Sequence, residues 1–322
     1  MFLKLADWLA YNVFGLSADT NIGSTLHFFV YDTTKILFLL FFIILILSFL
    51  RGYIDNNKFK SFIEKKPRFA AHFLASLFGV ITPFCSCSSV PLFIGFTEAG
   101  IPFGVSMSFL ITSPMINELA ILLLAGILGL KVSLIYVITG IIVGVIGGYL
   151  MELFGWQKYL QDYVINKQID NSCCPCQSGC NKVITLKRRL QEALNYSKDL
   201  MKKIWLFVLL GVGIGSILHG YVPQEFFMQY LNADNILSIP LSVLVGIPLY
   251  ADITTIIPIA QVLIEKGSAI GTVLVFMMSI AALSLPEMII LSRVMKKELI
   301  IRFLLFMFLV FTGVGYFYNL IL

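Results

Sequence analysis

The stretch "TPFCSCSSVP", residues 82 to 91, decides how this chain folds. Two prolines frame two cysteines and three serines, Thr82 precedes the first proline, and the sequence on both sides is apolar. Because proline has no backbone N–H, the pair predicts an unwound segment between residues 83 and 91. At membrane depth, unwound backbone is tolerated only where it is buried in protein or lines a watery cavity. The stretch therefore predicts a broken membrane helix with Cys85 and Cys87 at the break.

The composition around this stretch is that of an integral membrane protein. Of the 322 residues, 58% are hydrophobic and 13% are charged, whereas soluble domains carry roughly 25% charged residues. Long apolar runs approach or reach the roughly 20 residues of a spanning helix. They lie near residues 33–50, 131–151, 203–219 and 300–321. The sequence thus predicts an all-α polytopic membrane protein.

An internal repeat divides the chain into two halves. The pattern E-x-G-x3-G at residues 98–104 returns 167 residues later, at 265–271, and a proline interrupts the following apolar segment in both places, at Pro114 and at Pro286. A matched order of apolar elements around these points favours a duplication. The predicted parts are an N-terminal interfacial segment (1–23), a first transmembrane repeat (24–153), a Cys-containing connector (154–200) and a second transmembrane repeat (201–322).

Charge predicts how the two halves are inserted. Residues 51–68 contain six Lys or Arg, residues 154–203 contain nine and residues 293–302 contain four. Basic loops are retained in the cytoplasm, so all three segments are expected there. They lie on one side only if residues 68–98 form a re-entrant broken hairpin rather than a crossing. Each half then has three spanning helices plus one hairpin, and the second half is inverted relative to the first.

The alternative architecture is eight plain spanning helices with kinks. It requires that the connector does not follow the charge rule, which holds less strictly for long loops. In the preferred architecture, substrate sites lie near the midplane, where broken helices meet.

Cysteine at the first break predicts a site for a soft ion. A thiolate is a soft ligand for soft metals and metalloids, and Cys85 and Cys87 can point toward one centre if the segment is extended. Offset by 167 residues, the second break places Asp252 and Thr254 at the corresponding positions. The other candidate substrate-binding residues are Ser86, Ser88, Ser113, Asn117 and Thr255.

Acidic side chains inside the membrane are the candidates for proton coupling, because they are costly there and are functional by default. Three qualify: Asp252, Glu118 and Glu287. For the two glutamates, a structural role as a cap or partner near a broken helix remains an equal alternative. The three histidines form no metal cluster by their spacing, although His72 lies close to the first hairpin.

The connector contains a second group of thiols in "CCPCQSGC", residues 173–180. A cytoplasmic position keeps thiols reduced, and the spacing is not the paired C-x2-C of a structural zinc finger. We interpret the group as a flexible capture site that passes a thiophilic ion to the hairpin, in preference to a structural zinc or iron–sulfur site. Its members are Cys173, Cys174, Cys176 and Cys180.

Residues 82–120 closely resemble the signature of a predicted permease family that includes bacterial organoarsenical efflux permeases, and the resemblance extends from about residue 25 to the end. It implies an inner-membrane, multi-pass permease that exports trivalent arsenicals or another soft metal species. Some relatives are implicated in copper or zinc export. The functional cysteines of the family would match Cys85 and Cys87.

Two mechanisms remain open on the sequence. The preferred one is a proton-coupled exporter without a cofactor, and the other is a membrane thiol–disulfide redox protein. No Walker loop or G-x-S-x-G motif occurs, so the chain is not expected to be an enzyme. The expected partners are a small thiophilic substrate and the lipid bilayer, with a homodimer as one compatible assembly; the net charge of +5 is assigned to cytoplasmic loops rather than to nucleic acid.

Overall fold

A computed structural model describes most of both halves of the chain. The described residues are 7–9, 20–51, 67–82, 86–98, 100–116, 118–161, 237–249, 267–292 and 294–322, with scattered positions between 190 and 216 and between 256 and 264. They are almost entirely helical, and within them the nearest approach to a strand is one isolated antiparallel bridge between Leu160 and Met295.

Ten α-helices lie within these ranges. They are α1 Asn21–Arg51, α2 Arg68–Ile81, α3 Ser86–Glu98, α4 Phe103–Met115, α5 Glu118–Ile127, α6 Leu130–Leu153, α7 Ser238–Gly246, α8 Ile270–Leu283, α9 Leu285–Leu291 and α10 Lys297–Ile321. A 3-10 turn, Trp156–Tyr159, follows α6.

Four segments of the described chain are long and apolar enough to cross a membrane. They are Thr25–Ile46, Leu130–Leu153, Ile270–Leu291 and Lys297–Ile321. A fifth arises if α4 and α5, which are bent by 50° at their junction, count as one broken span. The described residues are therefore those of a nearly all-helical membrane protein. The region near 203–219, for which a further span is predicted, lies largely outside the described residues.

Helices α2 and α3 form a hairpin packed on α4. At its open end, Ala71 of α2 packs with Ile101 and Val105, just beyond the end of α3. Near its closed end, Gly79 and Ser89 both approach Ser113 of α4. The two arms, 14 and 13 residues long, measure about 20 Å at 1.5 Å per residue, short of the roughly 30 Å hydrocarbon core.

Close glycine contacts join α2, α4 and α6 into a first bundle. A Cβ atom placed on Gly148 of α6 would lie 2.5 Å from the carbonyl oxygen of Gly104 on α4. A Cβ atom on Gly79 of α2 would lie 3.2 Å from the backbone nitrogen of Ser113. Only a residue without a side chain allows such backbone approaches, which is how small residues bring membrane helices together.

A second bundle of α7, α8 and α10 has the same contacts at residues 167 positions further along the chain. A Cβ atom on Gly271 of α8 would lie 2.8 Å from the carbonyl oxygen of Gly315 on α10. Gly246 of α7 approaches Ser279 and Ile280 of α8. Helices α6 and α10, which begin at Leu130 and Lys297, also start at this offset.

The turn before each central helix recurs at the same offset. Gly100 and Gly267 have φ values of 83° and 93°, which glycine adopts without steric cost. In the first turn, Ile101 N–H donates to the carbonyl of Phe96 at 3.1 Å. In the second, Ser268 N–H donates to the carbonyl of Leu263 at 3.0 Å. The repeated sequence pattern therefore corresponds to a repeated backbone geometry.

The structure corrects one expectation about the prolines and refines another. The helix resumes at Ser86, so Pro91 lies inside α3 and the unwound segment is shorter than the prolines predicted. Pro286 occupies the start of α9, after a break at Ser284. A proline near a helix start is well tolerated, because the first backbone N–H groups have no intrahelical acceptor. The breaks in the two halves correspond, but their prolines do not.

The two bundles meet along α6 and α10. The segment after α6 pairs with the segment before α10, since Gln161 N–H donates to Val294 O at 2.9 Å and Lys296 N–H to Tyr159 O at 2.9 Å. The Arg302 guanidinium lies 4.2 Å from the centre of the Tyr159 ring. The end of α6 and the beginning of α10 are therefore at the same end of the molecule.

Candidate functional site

Broken helix ends converge at the centre of the described structure. The first turn of α3 packs against the end of α4, where Ser89 Oγ and Ser113 Oγ are hydrogen bonded at 2.9 Å and both side chains are fully buried. Helix α9 packs against α3, and α8 packs against α4. At the start of α9, Leu285 N–H donates to the carbonyl of Ile247, just past α7. Both halves thus bring helix termini to one buried region, called here the helix-end region.

Cys87 lies in the first turn of α3, and thus at the helix-end region. Its position corrects the expectation of an extended segment on both sides of the cysteine. In a regular helix the backbone N–H of residue 91 would bond the carbonyl of Cys87, and proline has no N–H to donate. The Cys87 carbonyl therefore lacks its intrahelical partner, which leaves a polar backbone group beside the hairpin break. Cys85 lies outside the described residues.

Glu287 is the proton-coupling candidate that the structure describes most fully. It lies in the first turn of α9 and is only 2% exposed. A carboxylate there interacts favourably with the positive end of the helix dipole. The sequence Ser284-Leu-Pro-Glu287 also has the pattern of a capping box, although Ser284 makes no side-chain cap hydrogen bond. A structural role and a proton-binding role are both compatible with this position.

Ser113 is the one substrate-binding candidate whose side chain is described. For three other candidates the structure describes only the helix they belong to, α3 for Ser86 and Ser88 and α5 for Glu118. The remaining candidates, which lie outside the described residues, are Asn117, Asp252, Thr254, Thr255, Cys173, Cys174, Cys176 and Cys180. Within the described part of the chain, no three His, Cys, Asp or Glu side chains form a metal-binding group.

A histidine–carboxylate pair lies in the first bundle, and residue spacing did not predict it. His72 of α2 is fully buried, and its Nε2 lies 3.3 Å from Oε2 of Glu152 on α6. Its Nδ1 lies 2.8 Å from Ser108 Oγ on α4. The edge of the His72 ring also packs against Tyr149, with ring centres 5.7 Å apart. Helix packing brings together two residues that are distant in sequence, so no local motif could have signalled the pair.

Buried hydroxyls continue from this pair toward the helix-end region. Ser76, Ser108, Thr112 and Ser113 are all fully buried along the α2–α4 interface. Thr112 Oγ1 donates to the Ser108 carbonyl at 2.8 Å. A Cβ atom on Gly144 would overlap Thr112 Oγ1 and would lie 3.0 Å from Ser76 Oγ, so both hydroxyls face the same glycine of α6. The first bundle thus contains a polar row between Glu152 and Ser89.

The described structure is that of a class of helical membrane proteins. Members of this class have short helices that end inside the molecule, close glycine contacts and buried polar helix ends. In this class, irregular backbone at membrane depth forms binding sites, as in secondary transporters. The chain belongs to the family described as "Predicted permease" (ArsP_1), which it matches over residues 21–320.

One curated relative resembles most of the chain. The protein described as "UPF0718 protein MJ0584", from Methanocaldococcus jannaschii, is 21% identical over 316 residues, which cover 83% of this chain and 87% of that protein. No solved structure matches the chain. Membership in a permease family supports a membrane transporter.

Proposed function

We propose that the protein is an inner-membrane, multi-pass secondary transporter that exports soft, thiol-reactive metal or metalloid species, such as trivalent organoarsenicals, in exchange for protons. The observation that carries the proposal is the position of Cys87 in the first turn of α3, at a buried region where helix ends of both halves meet. Soft ions bind sulfur, and buried helix breaks are where transporters place their substrates.

The proposed architecture is an inverted repeat. Helices α6 and α10 occupy equivalent positions, yet the end of α6 lies beside the beginning of α10. This position supports opposite directions for the equivalent helices, as an inverted repeat requires. The open end of the α2–α3 hairpin supports re-entry, because His72 near the start of α2 contacts Glu152 near the end of α6. The basic segments that flank these ends are then all cytoplasmic.

In the proposed mechanism, Cys85 and Cys87 bind the ion as thiolates while Ser113 and the neighbouring hydroxyls hold the hairpin tip. Asp252, Glu118 or Glu287 exchanges the proton. Substrate binding and protonation compete for the occluded state, and the two inverted halves alternate access to the two sides of the membrane. The connector thiols, Cys173 to Cys180, capture the ion on the cytoplasmic side.

The test is transport into inside-out membrane vesicles. We expect saturable uptake of phenylarsine oxide, a trivalent organoarsenical, that is lost in the Cys85→Ser/Cys87→Ser variant. Thr82→Ser is the matched control, because it lies at the same break and retains a hydroxyl for the bond that Thr82 Oγ1 donates to the Phe78 carbonyl. Unchanged uptake by the cysteine variant would overturn the sulfur site.

The same assay separates the alternatives. Uptake of copper or zinc instead of the arsenical would identify a different soft-metal exporter. A redox-active dithiol with a measurable potential and no net movement of metal would identify a thiol–disulfide protein. Collapsing the pH gradient should abolish accumulation if protons drive transport, and an unaffected accumulation would contradict proton coupling.

A further inference from the structure

We propose that His72 and Glu152 form the cytoplasmic proton-exchange site of this transporter, linked by the buried hydroxyls of the first bundle to the cysteine-bearing hairpin. The inference rests on the proposed proton-coupled function and adds a cytoplasmic entry site for the proton that Asp252, Glu118 or Glu287 exchanges, at residues that family membership and spacing do not indicate. Three features carry it: the hydrogen-bond arrangement at His72, the position of Glu152 and the contrast with the second bundle.

The hydrogen bonds at His72 leave one place, between His72 Nε2 and Glu152 Oε2, where a further proton can bind. The donor and acceptor roles at the 2.8 Å contact between His72 Nδ1 and Ser108 Oγ depend on the imidazole tautomer. In the tautomer that has its proton on Nδ1, Nδ1–H donates to Ser108 Oγ, whose own hydrogen goes to the Gly104 carbonyl at 3.2 Å. This neutral imidazole presents an unprotonated Nε2 to Glu152 Oε2, 3.3 Å away. Neither of these two buried atoms has a hydrogen-bond partner among the described residues. A proton bound to either atom would convert two facing acceptors into a donor and an acceptor.

Few other titratable groups of the described chain face His72. Glu152 and Tyr149 are the titratable groups that α6 presents to it, and α4 contains none. On α2 itself the other charged residue is Arg68, one turn earlier, and α3 ends at Glu98. Burial disfavours an imidazolium at His72, and the nearby Glu152 carboxylate opposes this effect.

Glu152 connects the buried imidazole to the aqueous side. Its side chain is 30% exposed and lies one residue before the end of α6. A proton can therefore pass between cytoplasmic water and Nε2 of His72. The Glu152 carboxylate accepts the proton from water and donates it to Nε2, and the reverse transfer returns it. From His72 the row of Ser108, Thr112 and Ser113 leads toward the hairpin, where a change in protonation can alter the packing of α2 on α4.

The second bundle shows that the fold does not need these polar groups. The positions equivalent to His72, Ser108 and Glu152 are Ile239, Val275 and Asn319. Ile239 and Val275 approach Gly315, just as Ser108 approaches Gly148 of the first bundle. At the same crossing, apolar residues therefore stand in place of His72 and Ser108, and only Asn319 is polar. Buried polar groups are costly when they are not fully paired, so a purely structural role does not explain the first set.

The experiment uses the full-length protein in proteoliposomes with phenylarsine oxide as the probe and two readouts. The first is accumulation driven by an imposed pH gradient, and the second is substrate exchange at equal pH on both sides. We expect His72→Gln and Glu152→Gln to lose gradient-driven accumulation but to keep exchange. The pH dependence of exchange, sloping in the wild type, should flatten in both variants, and the double variant should be no worse than either single one.

Two further variants control for folding and for the general loss of a histidine. The triple variant His72→Ile, Ser108→Val, Glu152→Asn copies the second bundle, so it should fold and exchange substrate without responding to the gradient. His27→Gln removes the pair between His27 Nε2 and Asp7 Oδ1, 2.8 Å apart and outside both bundles, and should behave as wild type.

The outcomes distinguish the inference from the proposed function. A wild type that accumulates the arsenical with the gradient, together with a His72→Gln variant that does so equally and with the same pH profile, overturns the proton site alone. A wild type that carries no arsenical, or carries it without regard to pH, overturns the proposed function and with it the inference.

Discussion

The first and second bundles have similar backbone contacts at equivalent positions, but they differ in the side chains around those contacts. Gly104 and Gly148 cross in one, and Gly271 and Gly315 cross in the other. Around the first crossing lie His72, Ser108 and Glu152, and around the second lie apolar side chains and Asn319. The comparison separates residues that recur in both bundles, and so are required by the fold, from residues that do not recur and are free to serve another role.

We expect the largest effect from removing the thiols of the first helix break and the carboxylate of the second. Cys85→Ser/Cys87→Ser should abolish both binding and transport of phenylarsine oxide, because no thiolate remains at the hairpin. Asp252→Asn should abolish gradient-driven transport and leave binding intact, because the sulfur site persists. Calorimetric titration of the purified protein measures binding. Loss of binding in Asp252→Asn would show that the two breaks share one role.

The glycine crossings should respond unequally to a methyl group. Gly148→Ala would place a Cβ atom 2.5 Å from a backbone carbonyl and 2.8 Å from the Ser108 nitrogen. We expect the free energy of unfolding to fall by about 3 kcal/mol, which is at the upper end of the cost of overpacking. Gly315→Ala meets mainly the side chains of Ile239 and Val275, which can move, so we expect about 1 kcal/mol.

Thermal unfolding in detergent measures both variants, with Gly126→Ala as the control. Gly126 is helical with open space around it, and alanine should stabilise there by about 0.5 kcal/mol. Equal losses of stability in Gly148→Ala and Gly315→Ala would show that the atoms around each crossing do not determine the cost of the added methyl group.

The hydrogen bond between Ser89 and Ser113 should make a smaller contribution. Replacing either serine by alanine leaves a buried hydroxyl with one partner fewer, at a cost of about 1 kcal/mol. In a double-mutant cycle the two losses should not add, because both report the same 2.9 Å contact. Fully additive losses in the unfolding midpoint would mean that α3 and α4 are not held by this bond.

Tyr136→Phe should have the smallest effect. The Tyr136 hydroxyl donates to the Met115 carbonyl at 2.9 Å, next to the break between α4 and α5. The equivalent residue in the second bundle is Phe303, which is also buried. Since the fold accepts phenylalanine there, we expect the free energy of unfolding to fall by about 0.5 kcal/mol, at the lower end of the range for one hydrogen bond. A loss of several times this size would show that the hydroxyl is essential to the break.

Sequence alone predicted the elements that depend on local pattern. The apolar runs predicted the long helices α1, α6 and α10, and the repeated E-x-G-x3-G pattern coincides with the two glycine turns, at Gly100 and Gly267. The proline pair overestimated the length of the break, because α3 resumes at Ser86 and contains Pro91 in its interior.

The buried polar site of the first bundle could not be predicted in the same way. His72 and Glu152 meet only because α2 and α6 pack against each other, and long-range packing leaves no spacing signal. Alignment of the two halves would have provided one clue, since it places His72 opposite Ile239 and Ser108 opposite Val275. A polar residue in one repeat and an apolar residue in the other indicates a position that packing does not determine.

The central claim, that two equivalent halves are inserted in opposite directions, is tested most directly by the location of their equivalent turns. Short epitope tags inserted after Gly100 and after Gly267, in otherwise intact protein, can be probed with antibody on sealed vesicles of each orientation. With an inverted repeat, we expect the tag after Gly100 on the cytoplasmic face and the tag after Gly267 on the outer face. Detection of both tags on the same face, as eight plain crossings would produce, would contradict it.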